Sequence, residues 1–553
     1  MQKRITYQNQ YSLFPGLIEL HRLDPLRWYQ ERWGGDVKDF LWDLHGGDYT
    51  IERFRWDGTP NPMATAWKAL AMGQNVSLKS ATSLGKTYNA ARIALWFLDV
   101  YQNQSTKVIL VGPSASQVKD TLGAELKKIF PKFNQIHLKA AWYDSIRILP
   151  EGPGDFDSAT WSLSAKSKGV KKAGETANTG PQGIHATNLL FIVDEGAKIE
   201  ASVLRSIENT VTGTNNLILM LGNPDSIIDP LHIFSQRPNT LEVRASGLDH
   251  PNVVLGEEVI PGAVTRQSIV ERAGKITEQF PRGVNWDTSF FQSRVRGFTP
   301  DQSSDSLIKM AWVNDAIEKG QHGVVGNSNP KGYKVDQWSY NAVGIDVAAS
   351  ETGDKGCVVA GQGNCVNYIN QFICPNAGDV AYNLIYGSEE AKERNFISYG
   401  IPSLEDLDVY EDNVGIDTVG VGTSTLEVFL HEGYDDVKAL IGGQDKEAIP
   451  SDPTGKPMLN FQNLRSQMLY TLAMDLKAGE IAISITDEQV LQELKEEAIT
   501  PKYTISQTAI TIERKDLIKE RLGRSPNILD ALMYWNWVRK DRSHITNSGD
   551  LHY

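Results

Sequence analysis

The chain has 553 residues, too many for one hydrophobic core, so two or three domains are expected. Its 41% hydrophobic and 22% charged content is that of a soluble globular protein, and its net charge of −13 excludes one that coats nucleic acid by bulk electrostatics, though not local contact through a basic groove. No apolar run reaches the roughly 20 residues that span a bilayer, and the first residues, MQKRITYQNQYSLF, lack the apolar stretch of a signal peptide, so a cytoplasmic protein with no membrane partner is expected.

Residues 1–60, rich in aromatics and charge, read as a helical lead-in. Residues 61–300 follow an α/β pattern, with apolar strands predicted at 75–79, 107–112, 188–194 and 216–222 and helices at 87–100 and 116–129. Short, nearly continuous apolar strands separated by helices predict a buried parallel sheet. Residues 80–87, SATSLGKT, fit the phosphate-binding pattern G-x-x-x-x-G-K-[ST] with Ser80 in place of the first glycine. They follow the strand NVSLK and open an amphipathic helix, so backbone N–H groups and the helix N-terminus would face an anion. With Gly85 shaping the loop, Lys86 would meet the β- and γ-phosphates of ATP and Thr87 would ligate Mg²⁺. The run NLLFIVDE ends an apolar strand in two acids. Asp194 there can hold the metal, and Glu195 can orient and deprotonate the attacking water. A third apolar strand, LILML, delivers Asn223, placed to sense the γ-phosphate. Between these strands Lys166, Lys168, Lys171 and Lys172 mark either a DNA-touching loop or a plain surface loop.

Residues 301–340 read as a connector, 341–540 as a second α/β domain, and 541–553 as a polar mobile tail. AVGID ends a strand at Asp346, NVGID ends another at Asp417, and SPNILD sets Asp530 early on the apolar helix ALMYWNWV. Two acids at strand ends and a third on a late helix form the pattern of an RNase H-like nuclease, in which such acids bind two divalent cations, Mg²⁺ or Mn²⁺, about 4 Å apart. Asp354, in the turn GDKG, fits a metal ligand or a plain turn. Arg514, Lys515, Lys519, Arg521 and Arg524 precede Asp530 and suit either a phosphodiester backbone or a solvated helix face. Cys357, Cys365 and Cys374 lack paired metal-ligand spacing and read as reduced thiols.

A P-loop NTPase domain of the RecA/ASCE-like kind followed by an RNase H-like acidic triad resembles the large terminase subunit of tailed bacteriophages. GPQGIHATNLLFIVDEGAKI looks like that family's second nucleotide motif, LGNPDS like its coupling motif, and SRVRGFTPDQSSDSLI like its connector. GIDVAASETGDKGCVV, VGIDTVGVGTSTLEVFL, NLRSQMLYTLAMDL and GRSPNILDAL are similar to successive pieces of its nuclease domain. The resemblance implies an ATP-driven motor that moves double-stranded viral DNA into the prohead and an endonuclease that cuts concatemeric DNA. It implies a homo-oligomer, a pentameric ring on the portal protein, served by a small terminase subunit. Such a ring would work in the host bacterial cytoplasm, docked transiently on the prohead and absent from the mature virion. By the family pattern Ser80, Gly85, Lys86, Thr87 and Asp194 hold MgATP, Glu195 is the catalytic acid, Asn223 couples hydrolysis to movement, and Asp346, Asp417 and Asp530 are the nuclease ligands. The chain departs from the family at PNPMATAWKALAMGQ, where the aromatic–Gln pair that reads adenine is missing. It departs again near the P-loop, where Lys79 is the sole basic candidate, and at Asn527, where many members have Asp. The rival readings are a helicase or repair ATPase fused to an RNase H-like domain, for which no second P-loop core is found, and a non-cleaving structural packaging component.

Overall fold

A computed structural model of the protein describes residues 15–42, 56–137, 140–150, 160–166, 184–303, 305–323, 341–348, 355–418, 420–443, 460–505 and 509–539. The chain divides into two compact units on either side of the 304/305 peptide. Lys168, Lys171, Lys172, Asp354 and the tail after residue 539 lie outside the described residues.

The first unit is built on an eight-stranded sheet. Its strands are β1 Asn75–Ser80, β2 Thr106–Val111, β3 Ala140–Tyr143, β4 Arg147–Pro150, β5 Trp161–Ala165, β6 Asn188–Val193, β7 Asn215–Gly222 and β8 Thr240–Ala245. The order is β3-β4-β5-β2-β6-β7-β1-β8, parallel from β5 to β8 with an antiparallel edge at β3 and β4. Every residue of β6 is buried, as expected of a strand covered on both faces. Because β7 lies between β6 and β1, the carboxyl ends of three neighbouring strands carry the P-loop, the Asp194–Glu195 pair and Asn223 side by side.

Helix α1 (Pro15–Leu23) lies against helix α3 (Lys86–Val100), where Trp96 Nε1 donates to the His21 carbonyl at 3.0 Å. Helix α2 (Pro62–Ala71), α3 and helix α4 (Ser289–Arg294), which adds Phe291, share the first unit's main hydrophobic cluster. The lead-in is no separate segment, since Trp28, Tyr29 and Trp33 join Trp67 and Trp96 in that cluster. Residues 89–100 of α3 are buried all round, and among them Asp99 is an acid with no access to water. It is satisfied by the lead-in: Arg32 Nη2 donates to Oδ1 at 2.8 Å, Arg32 Nε donates to Oδ2, and Trp28 Nε1 donates to Oδ2 at 2.8 Å.

The second unit carries β9 Asn341–Asp346, β10 Lys355–Gln362, β11 Cys365–Ile373, β12 Val414–Asp417, β13 Lys438–Leu440 and β14 Ala482–Ile483. The order is β13-β12-β9-β10-β11-β14; β10 runs antiparallel to β9 and β11, while β12 is parallel to β9 and β13. Strands β9 to β13 thus form a mixed sheet, in keeping with the RNase H-like fold expected from the sequence. Helix α5 (Met310–Gly323), drawn from the predicted connector, buries Val313, Ala316 and Ile317 in this unit's core. The three cysteines are buried and unpaired, as expected for reduced thiols. None of the described helices is long and apolar enough to cross a membrane.

Removing Arg32 leaves the Asp99 carboxylate buried without its cation, a change of about 3–5 kcal/mol in comparable buried pairs. Arg32→Ala is expected to lower the melting temperature of the first unit while leaving the second unit's transition in place. Differential scanning calorimetry that found both transitions unmoved would contradict the pairing.

Two candidate active sites

In the first unit, β1 runs into residues 81–85, and Ser83 and Gly85 both adopt positive φ, +61° and +80°, to wrap the loop before α3 begins at Lys86. Thr87 follows on the first turn. The Lys86 ammonium turns back over the loop and donates to the carbonyl of Ala81 at 3.0 Å. Burial pushes Lys86 down to about 8, against the pull of Glu195 and Asp194 nearby. Asn223, buried at the end of β7, donates through Nδ2 to the carbonyl of Ser80 at 2.6 Å, so the third strand is tied to the first residue of the loop.

Asp194 caps β6 with its Oδ2 accepting from Thr121 Oγ1 at 3.0 Å and its Oδ1 from the Glu195 amide at 3.0 Å. Burial raises its pKa, and the Glu195 charge adds to that, against the opposing Thr121 bond. Glu195 stands at φ +52°, a left-handed conformation that costs a non-glycine residue on the order of 1–3 kcal/mol. Burial pushes its carboxyl up, but a 2.9 Å pair with Lys198 and the charges of Lys86 and Arg294 hold it below the ordinary value. Glu195 is therefore an ionised base at neutral pH, set beside a neighbour whose proton affinity is raised.

Beside the loop opens a cavity of about 390 Å³ lined by Asp39, Trp42, Gly85, Tyr88, His250 and Pro261, among others. The Trp42 and His250 rings meet edge-on at 4.9 Å, and the Trp42 Nε1–H is buried with no partner among the described residues. His250 Nδ1 accepts from the Asn252 amide at 3.2 Å, and burial lowers its pKa to about 4, so the ring is neutral. Asp39 accepts from Tyr29 and Tyr88 at 2.8 and 3.3 Å. A flat, partly polar group fits such a slot. Gly85 aside, none of these residues stood out in the sequence, because they come from the lead-in, from the body of a helix and from loops without periodicity.

In the second unit, Asp346 and Asp417 end neighbouring parallel strands, in register through the Ile345–Ile416 pair. Helix α6 (Asn527–Val538) crosses both strands and brings Asp530 to them. Its approach depends on the glycine two positions before each strand-end acid. A Cβ on Gly344 would lie 2.1 Å from the Ala531 carbonyl oxygen and 2.3 Å from the Trp535 nitrogen, and one on Gly415 would lie 2.7 Å from Val538 Cγ1. The repeated V-G-I-D is thus a pair of slots for one helix.

Three carboxylates gathered here are balanced by a cation that the sequence left among surface bases. Lys515 Nζ lies 2.8 Å from Asp530 Oδ2 and 3.3 Å from Asp346 Oδ2, and Arg465 Nη2 lies 3.3 Å from Asp530 Oδ1. Burial, with the Asp530 and Asp417 charges, drives the Asp346 pKa up against Lys515; Asp530 is held down by Lys515 and Arg465 in spite of burial. Among the described residues no three His, Cys, Asp or Glu side chains converge as a metal cage. The donor set is nevertheless all carboxylate oxygen, which suits Mg²⁺ or Mn²⁺, and the Lys515 ammonium stands in for such a cation. Three more bases of the cluster are engaged locally: Arg514 with Asp516, Arg521 with Glu513, and Arg524 with Glu497. The alternative in which Arg521 and Arg524 hold DNA directly is not favoured by this pairing. Asn527 is buried with its Oδ1 unpartnered among the described residues.

No family model matches the chain. A probable terminase large subunit of Enterobacteria phage P7 is 25% identical over 311 residues, which are 54% of this chain and 55% of that protein, so the match spans about half of either. The large terminase of a thermophilic bacteriophage overlaps with a TM-score of 0.32 at 12% identity, covering 88% of this chain and 98% of that one. The nuclease domain of the large terminase subunit of bacterial virus Sf6 overlaps with a TM-score of 0.30 at 20% identity, covering 42% and 98%. The chain resembles terminase large subunits in sequence, and its fold rests on the strand orders above.

Gly344→Ala is expected to push α6 off β9 and to destabilise the second unit by about 1–3 kcal/mol or more, as overpacking does. A second-unit melting transition equal to wild type would mean that the helix does not need this slot.

Proposed function

We propose that this chain is the large subunit of a phage terminase: an ATPase that drives double-stranded viral DNA into a prohead and a divalent-metal-dependent endonuclease that cuts the concatemer. The observation that carries the reading is the presence in one chain of two clusters of acids with a lysine, at the strand ends of two different sheets. One is organised around a P-loop, the other around three aspartates on an RNase H-like frame. The half-length similarity to a phage terminase supports the pairing of the two.

In the first site ATP is the substrate. The loop amides of residues 83–86 and Lys86 would bind the β- and γ-phosphates, while Thr87 and Asp194 would hold Mg²⁺, which supplies charge to the phosphate oxygens. The cavity beside Tyr88 would take the nucleoside. Glu195 would accept a proton from the attacking water, a role for which an ionised carboxylate is required. Asn223, bonded to Ser80, would transmit a change in the loop to β7. In the second site Asp346, Asp417 and Asp530 would hold two Mg²⁺ or Mn²⁺, which supply stabilisation to the attacking and leaving oxygens of a phosphodiester. Lys515 would have to leave its place between Asp346 and Asp530 and would then be free to meet a DNA phosphate. A homo-oligomeric ring, pentameric on the portal protein, a small terminase subunit as DNA-recognition partner, and action in the host cytoplasm complete the reading.

The two sites should separate by mutation. Lys86→Ala is expected to abolish ATP hydrolysis yet leave Mn²⁺-dependent plasmid cleavage, and Asp346→Ala to do the reverse. A prohead packaging assay with portal present, run beside both activities, tests the whole assignment. Intact ATPase in the Lys86 variant or intact cleavage in the Asp346 variant would remove that site. Glu195→Gln is expected to retain ATP binding while lowering the turnover rate by about 10²-fold or more. Turnover at the wild-type rate would require a different base.

A further inference from the structure

The P-loop region of this chain has one basic neighbour in sequence, and it faces away. Lys79 is buried on β1 with its ammonium 2.6 Å from Glu242 Oε2 and 2.9 Å from His232 Nδ1. A different cation reaches the loop, from a segment some two hundred residues downstream. Helix α4 ends beside the loop at Arg294, and the chain that follows is stitched to three strand ends. The Ser293 hydroxyl donates to the Pro224 carbonyl, next to Asn223. The Arg294 carbonyl accepts from the P-loop amide of Thr82 at 3.0 Å, and the Val295 carbonyl from the Gly247 amide at 2.8 Å. Gly297 then passes so close that a Cβ would lie 3.2 Å from the Lys79 carbonyl oxygen and 3.3 Å from the Ala81 nitrogen. Backbone bonds on both sides therefore fix where the Arg294 side chain starts.

That side chain differs from its neighbours. Arg244 and Arg296 both pair with Asp57, at 3.5 and 2.6 Å, and both lie over the Phe298 ring. Arg294 is half-buried and, among the described residues, its guanidinium has neither a hydrogen bond nor a carboxylate partner. Its charge is felt at Lys86, which it helps to push down, and at Glu195, which it helps to keep ionised. Lys86 and Arg294 repel one another, with Glu195 the acid whose charge acts on both. The arrangement becomes favourable when a polyphosphate enters, and most favourable when negative charge grows on the transferring phosphoryl group.

We infer that Arg294 is the arginine of the nucleotide site, acting within its own subunit on the terminal phosphate. The inference rests on the nucleotide reading of residues 80–87. Arginines in this role are worth about 10³–10⁵ in turnover and can be supplied by the same chain or by a partner.

The test compares Arg294→Ala and Arg294→Lys with wild type in full-length protein. Both should melt at the wild-type temperature, since the guanidinium has no structural partner among the described residues. Arg294→Ala should lose about 10³-fold or more in kcat with less than a tenfold change in KM, and Arg294→Lys should recover part of it. By fluorescence titration Arg294→Ala should bind ADP as wild type does and ATPγS more weakly. Mixing Arg294→Ala with Lys86→Ala protein should not restore hydrolysis, because each functional site needs both residues in one subunit. Restoration on mixing, or wild-type kcat and ATPγS affinity in Arg294→Ala, would overturn the inference and leave the nucleotide reading standing. Wild-type protein that binds neither nucleotide would overturn both.

Discussion

An ionised carboxylate taken out of water needs a positive partner, or it takes up a proton and loses its use. Both units gather acids at the buried ends of apolar strands, and each cluster is balanced by a lysine from another element. Lys86 at the head of α3 faces Asp194 and Glu195; Lys515 lies between Asp346 and Asp530. On the proposed function, these are places that substrate or metal would enter. Each cluster would thus be held at rest by the same charges that the proposed reaction recruits. What differs is the escape route. Lys86 bonds to the Ala81 carbonyl of its own loop, while on the proposed function Lys515 would move aside for the acids to take a divalent cation.

Strand order converts this chemistry into a site. With β7 set between β6 and β1, the loop, the acid pair and Asn223 are neighbours by construction, and the 2.6 Å bond from Asn223 to the Ser80 carbonyl makes them one mechanical unit. In the second unit the same result comes from a helix laid over two strands, which only the absence of a Cβ at Gly344 and Gly415 permits. Sites of both kinds are placed by rigid elements, and in each the lysine stands at the head of a helix.

Much of this was legible in the sequence. The predicted strands 75–79, 107–112 and 188–194 fall within a residue or two of β1, β2 and β6, because continuous apolar runs between helices admit few other readings. The ten predicted site residues sit at the ends of elements, where turn chemistry marks them. What escaped notice lacked periodicity or came from far away. Residues 245–300 are short helices and turns, yet they supply His250, Pro261 and Arg294. Lys515 looked like one base among five, since nothing local to R-K-D-L-I-K separates a buried ion pair from a solvated face. Strand β8, TLEVRA, alternates polar and apolar residues as an edge strand does and lacks the continuous apolar run that marks the buried strands.

The buried knot of Trp28, Arg32 and Asp99 has a bearing on how such proteins change over time. Asp99 is 67 positions from Arg32 and 71 from Trp28, with α2 and β1 between them in the chain, so neither half is sound alone. A recombination event that swapped the nucleotide core between relatives, with its crossover just upstream of β1, would take from Asp99 its bonds to Arg32 and Trp28. Inheritance of the core is therefore tied to inheritance of the aromatic segment before it, and the two should diverge in step.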